Sequence, residues 1–278
     1  MQPAKISLPY FDCLLESFAK GDTNAQALFG RNVHWGYWEN PAQADGSVAD
    51  FQLATEKLTK KVYGAAKVQN GYRLLDAGCG FGGTIACLND NFNNMQLVGI
   101  NIDPRQLARA REEVKPRENN QIEFVEGNAC QLPFADASFD VVLAVECIFH
   151  FPSREEFFRE ARRVLRPGGK LAISDFVSSS LFYPVFSFLK NRNSNPNSTY
   201  GRVNTDWTFR DYQKLAQATG FKLTIKEDIT GNTLPTYPVV RRLFEGINKP
   251  NAVKETRDIE LVSMIGLLRY LVLGFEVS

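Results

Sequence analysis

The stretch "YRLLDAGCGFGG", Tyr72 to Gly83, decides how the rest of the chain is read. It starts as a short apolar run and passes through an acid into glycine. Such a run reads as a buried strand opening into a loop. Glycines at 78, 80, 82 and 83 permit a tight turn and a close ligand approach. Two motifs fit equally. Gly78, Gly80 and Gly83 satisfy G-x-G-x-x-G, the dinucleotide-binding pattern. Asp76, Gly78 and Gly80 satisfy D-x-G-x-G. A carboxylate at the strand end repels a pyrophosphate and favours an ammonium or sulfonium group. A turn that binds nothing is the plain alternative, and four glycines in six residues argue against it.

Strand and helix alternate from here on. "GTIACLNDNF" predicts a helix and "MQLVGINI" a strand. "DPRQLARAREEVK" predicts a helix with Asp103 as N-cap, Pro104 in the first turn and Gln106 at the capping-box position. "QIEFVEG" and the continuous apolar "DVVLAVE" follow as strands. "SREEFFREARRVL" is a helix opened by Ser153 and Glu156 and closed by "PGG". "KLAISDF", "FKLTIKED" and "RYLVLGFEV" are further strands, with the helix "TFRDYQKLAQATG" among them. This rhythm predicts an α/β fold: a mostly parallel seven-stranded sheet with helices on both faces. Residues 1–70 precede it as a helical cap. Residues 178–206 interrupt the core, 71–278, as an aromatic and then Asn/Ser-rich insertion that reads as a lid.

Composition narrows the function classes. A hydrophobic content of 44% with 23% charged residues suits a globular protein. The net charge of +1 offers no field for nucleic acid or an anionic membrane, and no basic stripe carries interleaved aromatics. Five cysteines without a C-x-x-C pair suggest free thiols in a reducing compartment, with no disulfide framework and no metal site. The first residues lack a signal-peptide pattern. The apolar run 261–275 is broken by Ser263, Gly266 and Arg269 and is too short to span a bilayer. A cytoplasmic protein without stable membrane insertion is the expectation.

"LLDAGCGFGG", "VGINIDPRQL", "EGNACQLPFADASFDVV" and "HF…EEFFREARRVLRPGGKLAISDF" occur in this order at βα spacing. Together they resemble the class I S-adenosylmethionine-dependent methyltransferases. The branch they resemble most holds natural-product sugar O-methyltransferases and tocopherol- and sterol-type enzymes. The resemblance implies a Rossmann-like sheet, S-adenosylmethionine as cofactor with S-adenosylhomocysteine as product, and a small-molecule substrate. It implies that Asp76 anchors the glycine loop and the methionine ammonium, and that Gly78, Cys79 and Gly80 run beneath methionine and ribose. Asn101, where the family usually has an acid, would take the ribose hydroxyls beside Ile102 and with Gln106. Asn128 and Ala129 would meet the adenine. "NVHWGYWENP" resembles the family's N-terminal cover. There Tyr37 is expected beside the sulfonium, with Trp35 and Trp38 closing the pocket and His34 as an orienting hydrogen-bond partner.

Methyl transfer from a sulfonium needs alignment, exclusion of water and, for a hydroxyl acceptor, a base. His150 and Asp175 follow the fourth strand and end the fifth, so both are candidate bases. Each has a bland reading, as a packed neutral imidazole and as a turn cap. Glu146, at the end of the fourth strand, is the third catalytic candidate and faces the cofactor side. It is the first residue of interest were the acceptor an alkene. Cys147, Phe149, Phe182, Tyr183 and Phe186 are expected to line an apolar substrate pocket. O-methylation of a small, partly apolar metabolite is the leading reading, with N- or C-methylation beside it. The literal G-x-G-x-x-G keeps a nicotinamide-dependent oxidoreductase as the remote alternative.

Overall fold

The structure is a computed structural model that describes residues 8–117, 119–179 and 198–278. The expected lid residues Phe182, Tyr183 and Phe186 lie outside the described residues. The described elements are α1 (Pro9–Ala19), α2 (Thr23–Phe29), α3 (Val48–Ala65), β1 (Arg73–Ala77), α4 (Gly83–Asn91), β2 (Gln96–Asn101), α5 (Pro104–Glu113), β3 (Gln121–Glu126), β4 (Phe139–Val145), α6 (Arg154–Val164) and β5 (Leu165–Ser178). They continue with α7 (Phe209–Ala218), β6 (Phe221–Asp228), the single turn α8 (Thr230–Thr233), α9 (Thr236–Gly246), α10 (Pro250–Met264) and β7 (Leu268–Val277).

The seven strands form one sheet in the order β3-β2-β1-β4-β5-β7-β6. Only β7 runs antiparallel to its neighbours. The chain winds outward from β1 in one direction and from β4 in the other. A crevice therefore opens at the carboxyl ends of β1 and β4, where open α/β sheets bind ligands.

Residue alternation along each strand builds a core on either face. In β4, Val142 and Ala144 join Phe157, Phe158, Leu171 and Phe275 on one side. Val141, Leu143 and Val145 join Leu58, Val62, Leu74 and Val272 on the other. Fully burying each large side chain contributes about 1.5–3 kcal/mol. β6, at an edge, buries Phe221, half-buries every second residue after it and turns Lys222, Thr224 and Lys226 outward. The helix starts follow local chemistry. Asp103 accepts the N–H of Arg105 at 2.9 Å, and Ser153 accepts that of Glu156 at 3.1 Å. Such caps stabilise by about 1 kcal/mol each. Gln106 departs from its expected capping role, because its Oε1 accepts from Asn101 Nδ2 at 2.8 Å.

Residues 8–70 divide between two places. Leu58 and Val62 of α3 pack into the sheet's core. The start of α1 and residues 31–34 line the crevice, while Leu14, α2 and Trp38 pack with α9 in a third core built around Phe29, Phe51, Val240 and Phe244. Among the described residues no helix is long and apolar enough to cross a membrane.

Candidate active site

The glycine loop leaves β1 with Gly78 at φ +78° and Gly82 at φ +82°, backbone that side chains rarely adopt. A Cβ on Gly78 would stand 2.8 Å from Cys147 Sγ. The Gly78 and Cys79 N–H groups donate to the Ile100 carbonyl at 2.8 and 3.1 Å, tying the loop to β2. The loop floors a cleft that, with its open mouth, encloses about 700 Å³.

Asp76 lines this cleft yet is only 1% exposed. Its Oδ2 has no hydrogen-bond partner, and burial pushes its carboxyl up to about 7. A buried acceptor without a donor is rare and calls for one. A ligand ammonium supplies that donor and restores the charged carboxylate. Asn101 and Gln106 line the same wall as a hydrogen-bonded pair. Ile102, Asn128, Ala129 and Phe151 shape an adjoining concavity of about 290 Å³. Asn128 Oδ1 accepts the Cys130 N–H at 2.9 Å, which fixes the carboxamide and leaves a second lone pair. An ammonium-bearing, polar-ringed ligand matches this donor and acceptor set, so these residues fit S-adenosylmethionine.

Glu146 follows β4 in the left-handed region, at φ +50°, a strained placement for a side chain of this size. Its N–H donates to Ser174 Oγ at 3.0 Å. Its Oε2 accepts the Trp35 N–H at 2.9 Å and the Tyr270 hydroxyl at 2.5 Å. All three partners are neutral. Burial pushes the carboxyl up to about 8 against the opposing pull of these donors. His34 holds the cover segment from below: Nδ1–H donates to the Trp35 carbonyl at 2.9 Å and Nε2 accepts from Thr59 Oγ1 at 3.1 Å.

His150 sits in the turn after β4 and lines the cleft. Its Nδ1 lies 3.2 Å from the Arg202 carbonyl, so that nitrogen carries the proton. Nε2 is left as an acceptor, 3.4 Å from the Tyr10 hydroxyl. Burial, helped by the charge of Arg154, pushes the imidazole down to about 4.

The cleft thus gathers His34, Asp76, Gly78, Cys79, Gly80, Asn101, Ile102, Gln106, Glu146, Cys147 and His150. Five expected residues stand elsewhere. Asp175 is fully buried in an ion pair with Arg154 at 2.8 Å and accepts the Tyr212 hydroxyl. The strand's alternation explains this: Asp175 shares a face with Ile173 and Val177, opposite Phe176 and its partner Tyr270. Tyr37 points away from the cleft and lies under Lys61, whose Nζ is 5.2 Å from the ring centroid. Trp38 packs on Phe51 and donates from Nε1 to Asp50. The Trp35 ring packs edge-on against Phe176 and Tyr237, so only its backbone reaches Glu146. Phe149 belongs to the core beside Phe176.

Three contributors are absent from the expectations above. Tyr10 and Phe11 come from α1, and Tyr270 from β7. A clue to Tyr270 exists in "RYLVLGFEV", because a hydroxyl in a buried strand must find a partner. Tyr10 sits in an ordinary amphipathic helix and gives no such sign.

Residues 75–173 match the family model described as a methyltransferase domain. The 27-O-demethylrifamycin SV methyltransferase of Amycolatopsis mediterranei is 33% identical over 223 residues, covering 80% of this chain and 78% of that one. Methyltransferase GfsG of Streptomyces halstedii is 33% identical, covering 79% and 76%. Among solved structures, the [4+2]-cyclase SpnF superposes with a TM-score of 0.77 at 23% identity, over 98% of this chain and 97% of that one, a likeness of fold. With the D-x-G-x-G loop and the unpartnered Asp76 at the switch point of the sheet, these relatives show that the chain belongs to the class I S-adenosylmethionine-dependent methyltransferases acting on small molecules.

Proposed function

We propose that the chain methylates a hydroxyl of a small, partly apolar metabolite, with His150 as the general base. The observation that carries this reading is the His150 geometry. Nδ1–H is committed to the Arg202 carbonyl, and bare Nε2 faces a hydroxyl across the cleft. An imidazole pushed down to about 4 is neutral throughout the physiological range, so Nε2 keeps a free lone pair, and it is the geometry, not a high proton affinity, that suits it to the role. Phe11, Phe81 and Phe151 give the cleft apolar walls suited to such an acceptor. The name of the rifamycin relative specifies transfer to oxygen, which supports the same chemistry here.

S-adenosylmethionine, when bound, supplies an electrophilic methyl group on a sulfonium. Asp76, the Gly78–Gly80 backbone, Asn101, Gln106, Asn128 and Ala129 would hold it. α1 and residues 31–34 wall the cleft and keep water out. Nε2 of His150 draws the proton from the acceptor hydroxyl. Near pH 7 the Glu146 carboxyl keeps its proton. Both of its described donors meet Oε2, which leaves Oε1 to carry that proton and to orient the acceptor.

One observation favours a second reading, transfer to carbon. The Glu146 carboxyl stands in the cleft wall beside Tyr270; ionised by the positive charge of a bound sulfonium, it would take a proton from carbon. Isotope-labelled S-adenosylmethionine, incubated with extracts containing hydroxylated apolar metabolites, decides between them. A labelled methyl ether lost with His150→Gln supports the first. A labelled carbon–methyl bond lost only with Glu146→Gln would replace it.

A further inference from the structure

The buried ion pair of Arg154 and Asp175 has no contact with the cleft, yet its hydrogen bonds lead to His150. Arg154 opens α6, directly after the turn that carries His150, and its side chain is 1% exposed. Its guanidinium spends its donors in three directions. Nε and Nη2 both reach Asp175 Oδ2, at 3.1 and 2.8 Å. Nε also reaches the Tyr212 hydroxyl at 2.9 Å. Nη2 donates to the Asn204 carbonyl at 2.8 Å. The guanidinium lies over the Trp207 ring, 5.4 Å from its centroid. The third direction matters for the chemistry. Asn204, held through its carbonyl, donates its own N–H to the Phe149 carbonyl at 2.9 Å. Two residues earlier in the same strip, the Arg202 carbonyl accepts from His150 Nδ1.

A solvated surface would not need a charged pair here. Burying two charges costs several kcal/mol per ion before the pair's attraction is counted. Hydrophobic residues of similar volume often serve stability as well or better. The fork geometry of arginine does what they cannot, since it bridges an acid on β5 to a backbone carbonyl on an irregular segment. A catalytic imidazole exposes the useful nitrogen only when the other nitrogen's proton has a fixed acceptor.

We infer that Arg154, anchored by Asp175 and Tyr212, is a positioning residue that clamps residues 202–204 so that the Arg202 carbonyl holds His150 in the Nδ1–H tautomer. The inference rests on the reading of His150 as base. Without the clamp, the Arg202 carbonyl drifts and Nε2–H becomes populated, a form that cannot accept a proton from the substrate hydroxyl.

The chain's two histidines make this measurable. Nitrogen-15 imidazole spectra of the full chain with S-adenosylhomocysteine, assigned with the His150→Gln variant, read both tautomers directly. His34, tied to Trp35 and Thr59, serves as an internal control for the fold. The wild type is expected to show His150 as the Nδ1–H tautomer alone. Arg154→Lys keeps the charge but cannot span Asp175 and Asn204. It is expected to populate Nε2–H at His150 and leave the His34 signals and S-adenosylhomocysteine affinity unchanged. Turnover with the acceptor returned by the labelled-donor screen should fall at least about tenfold, as geometric misplacement does. A wild-type His150 in the Nε2–H tautomer overturns the inference. So does a folded Arg154→Lys protein with His150 still in the Nδ1–H form and full turnover. Should that variant fail to fold, Tyr212→Phe removes one anchor gently and must move His150 the same way. No movement there overturns the inference as well. Retained turnover in His150→Gln would instead remove the base reading, so the two failures are distinguishable.

Discussion

Two carboxyls stand near each other on adjacent strands of the sheet: Glu146 just after β4 and Asp175 within β5, whose Ser174 pairs with Val145. Both are buried, and burial drives both upward. Their partners differ. Asp175 faces the α6–α7 side, where Arg154 supplies a full charge. Glu146 faces the cleft and meets only neutral donors from Trp35 and Tyr270. The first is a structural ion, paired through Oδ2 with Arg154 and Tyr212. The second keeps its proton near pH 7 and can exchange it. Strand-end position alone does not mark a catalytic acid; the charge of the partner does.

The largest effect expected from this contrast is on stability. Asp175→Ala leaves Arg154 buried and unpaired, and chemical denaturation should show a loss of about 3–5 kcal/mol. A loss below about 1 kcal/mol would mean the pair is not shut off from solvent.

Next in size is a pH effect at Glu146. Folded, the carboxyl titrates near 8; unfolded, it titrates in the ordinary range near 4.3. Between these values the folded state holds a proton that the unfolded state has released. Stability attributable to Glu146 therefore falls as pH rises through that window, by up to about 1.4 kcal/mol per unit. Glu146→Gln should lose this component, so the wild type weakens relative to the variant from pH 5 to 8 on the order of several kcal/mol. Parallel stability curves for the two proteins would contradict it.

A smaller change isolates the neutral donor. Tyr270→Phe removes one hydrogen bond from Glu146, at about 1 kcal/mol by denaturation, and should raise the carboxyl's proton affinity further. The smallest effect belongs to the ring expected beside the sulfonium. Tyr37→Leu should leave S-adenosylmethionine affinity within about 0.5 kcal/mol of wild type. A tenfold loss in calorimetry would return Tyr37 to the cleft.

The same contrast explains what was legible in the chain. The strands, the helix caps and the glycine loop depend on local backbone chemistry, and "YRLLDAGCGFGG" carries it within twelve residues. The cofactor side of the cleft, from Asp76 to Gln106, follows from that loop and the next βα unit. The roles of Trp35, Tyr37 and Trp38 depend instead on distant partners. Tyr37 N–H bonds the Ala54 carbonyl and Trp38 N–H bonds the Asn232 carbonyl, so helices far along the chain set how each ring turns. Asp175 was legible as a strand-end acid, but its face depends on strand parity and on an arginine from α6. Tyr10 reaches the cleft and Tyr270 reaches the Glu146 carboxyl behind it from distant parts of the chain, and no local pattern links them.

The most direct test is transfer of an isotope-labelled methyl group from S-adenosylmethionine to a hydroxylated acceptor, by wild type and His150→Gln side by side. Binding of S-adenosylhomocysteine is followed in the same samples. Transfer to oxygen should drop by roughly 10²–10⁴-fold in the variant while cofactor affinity stays unchanged. Undiminished transfer by the variant, or stabilisation of the wild type by NAD(H) and not by S-adenosylhomocysteine, would contradict the assignment.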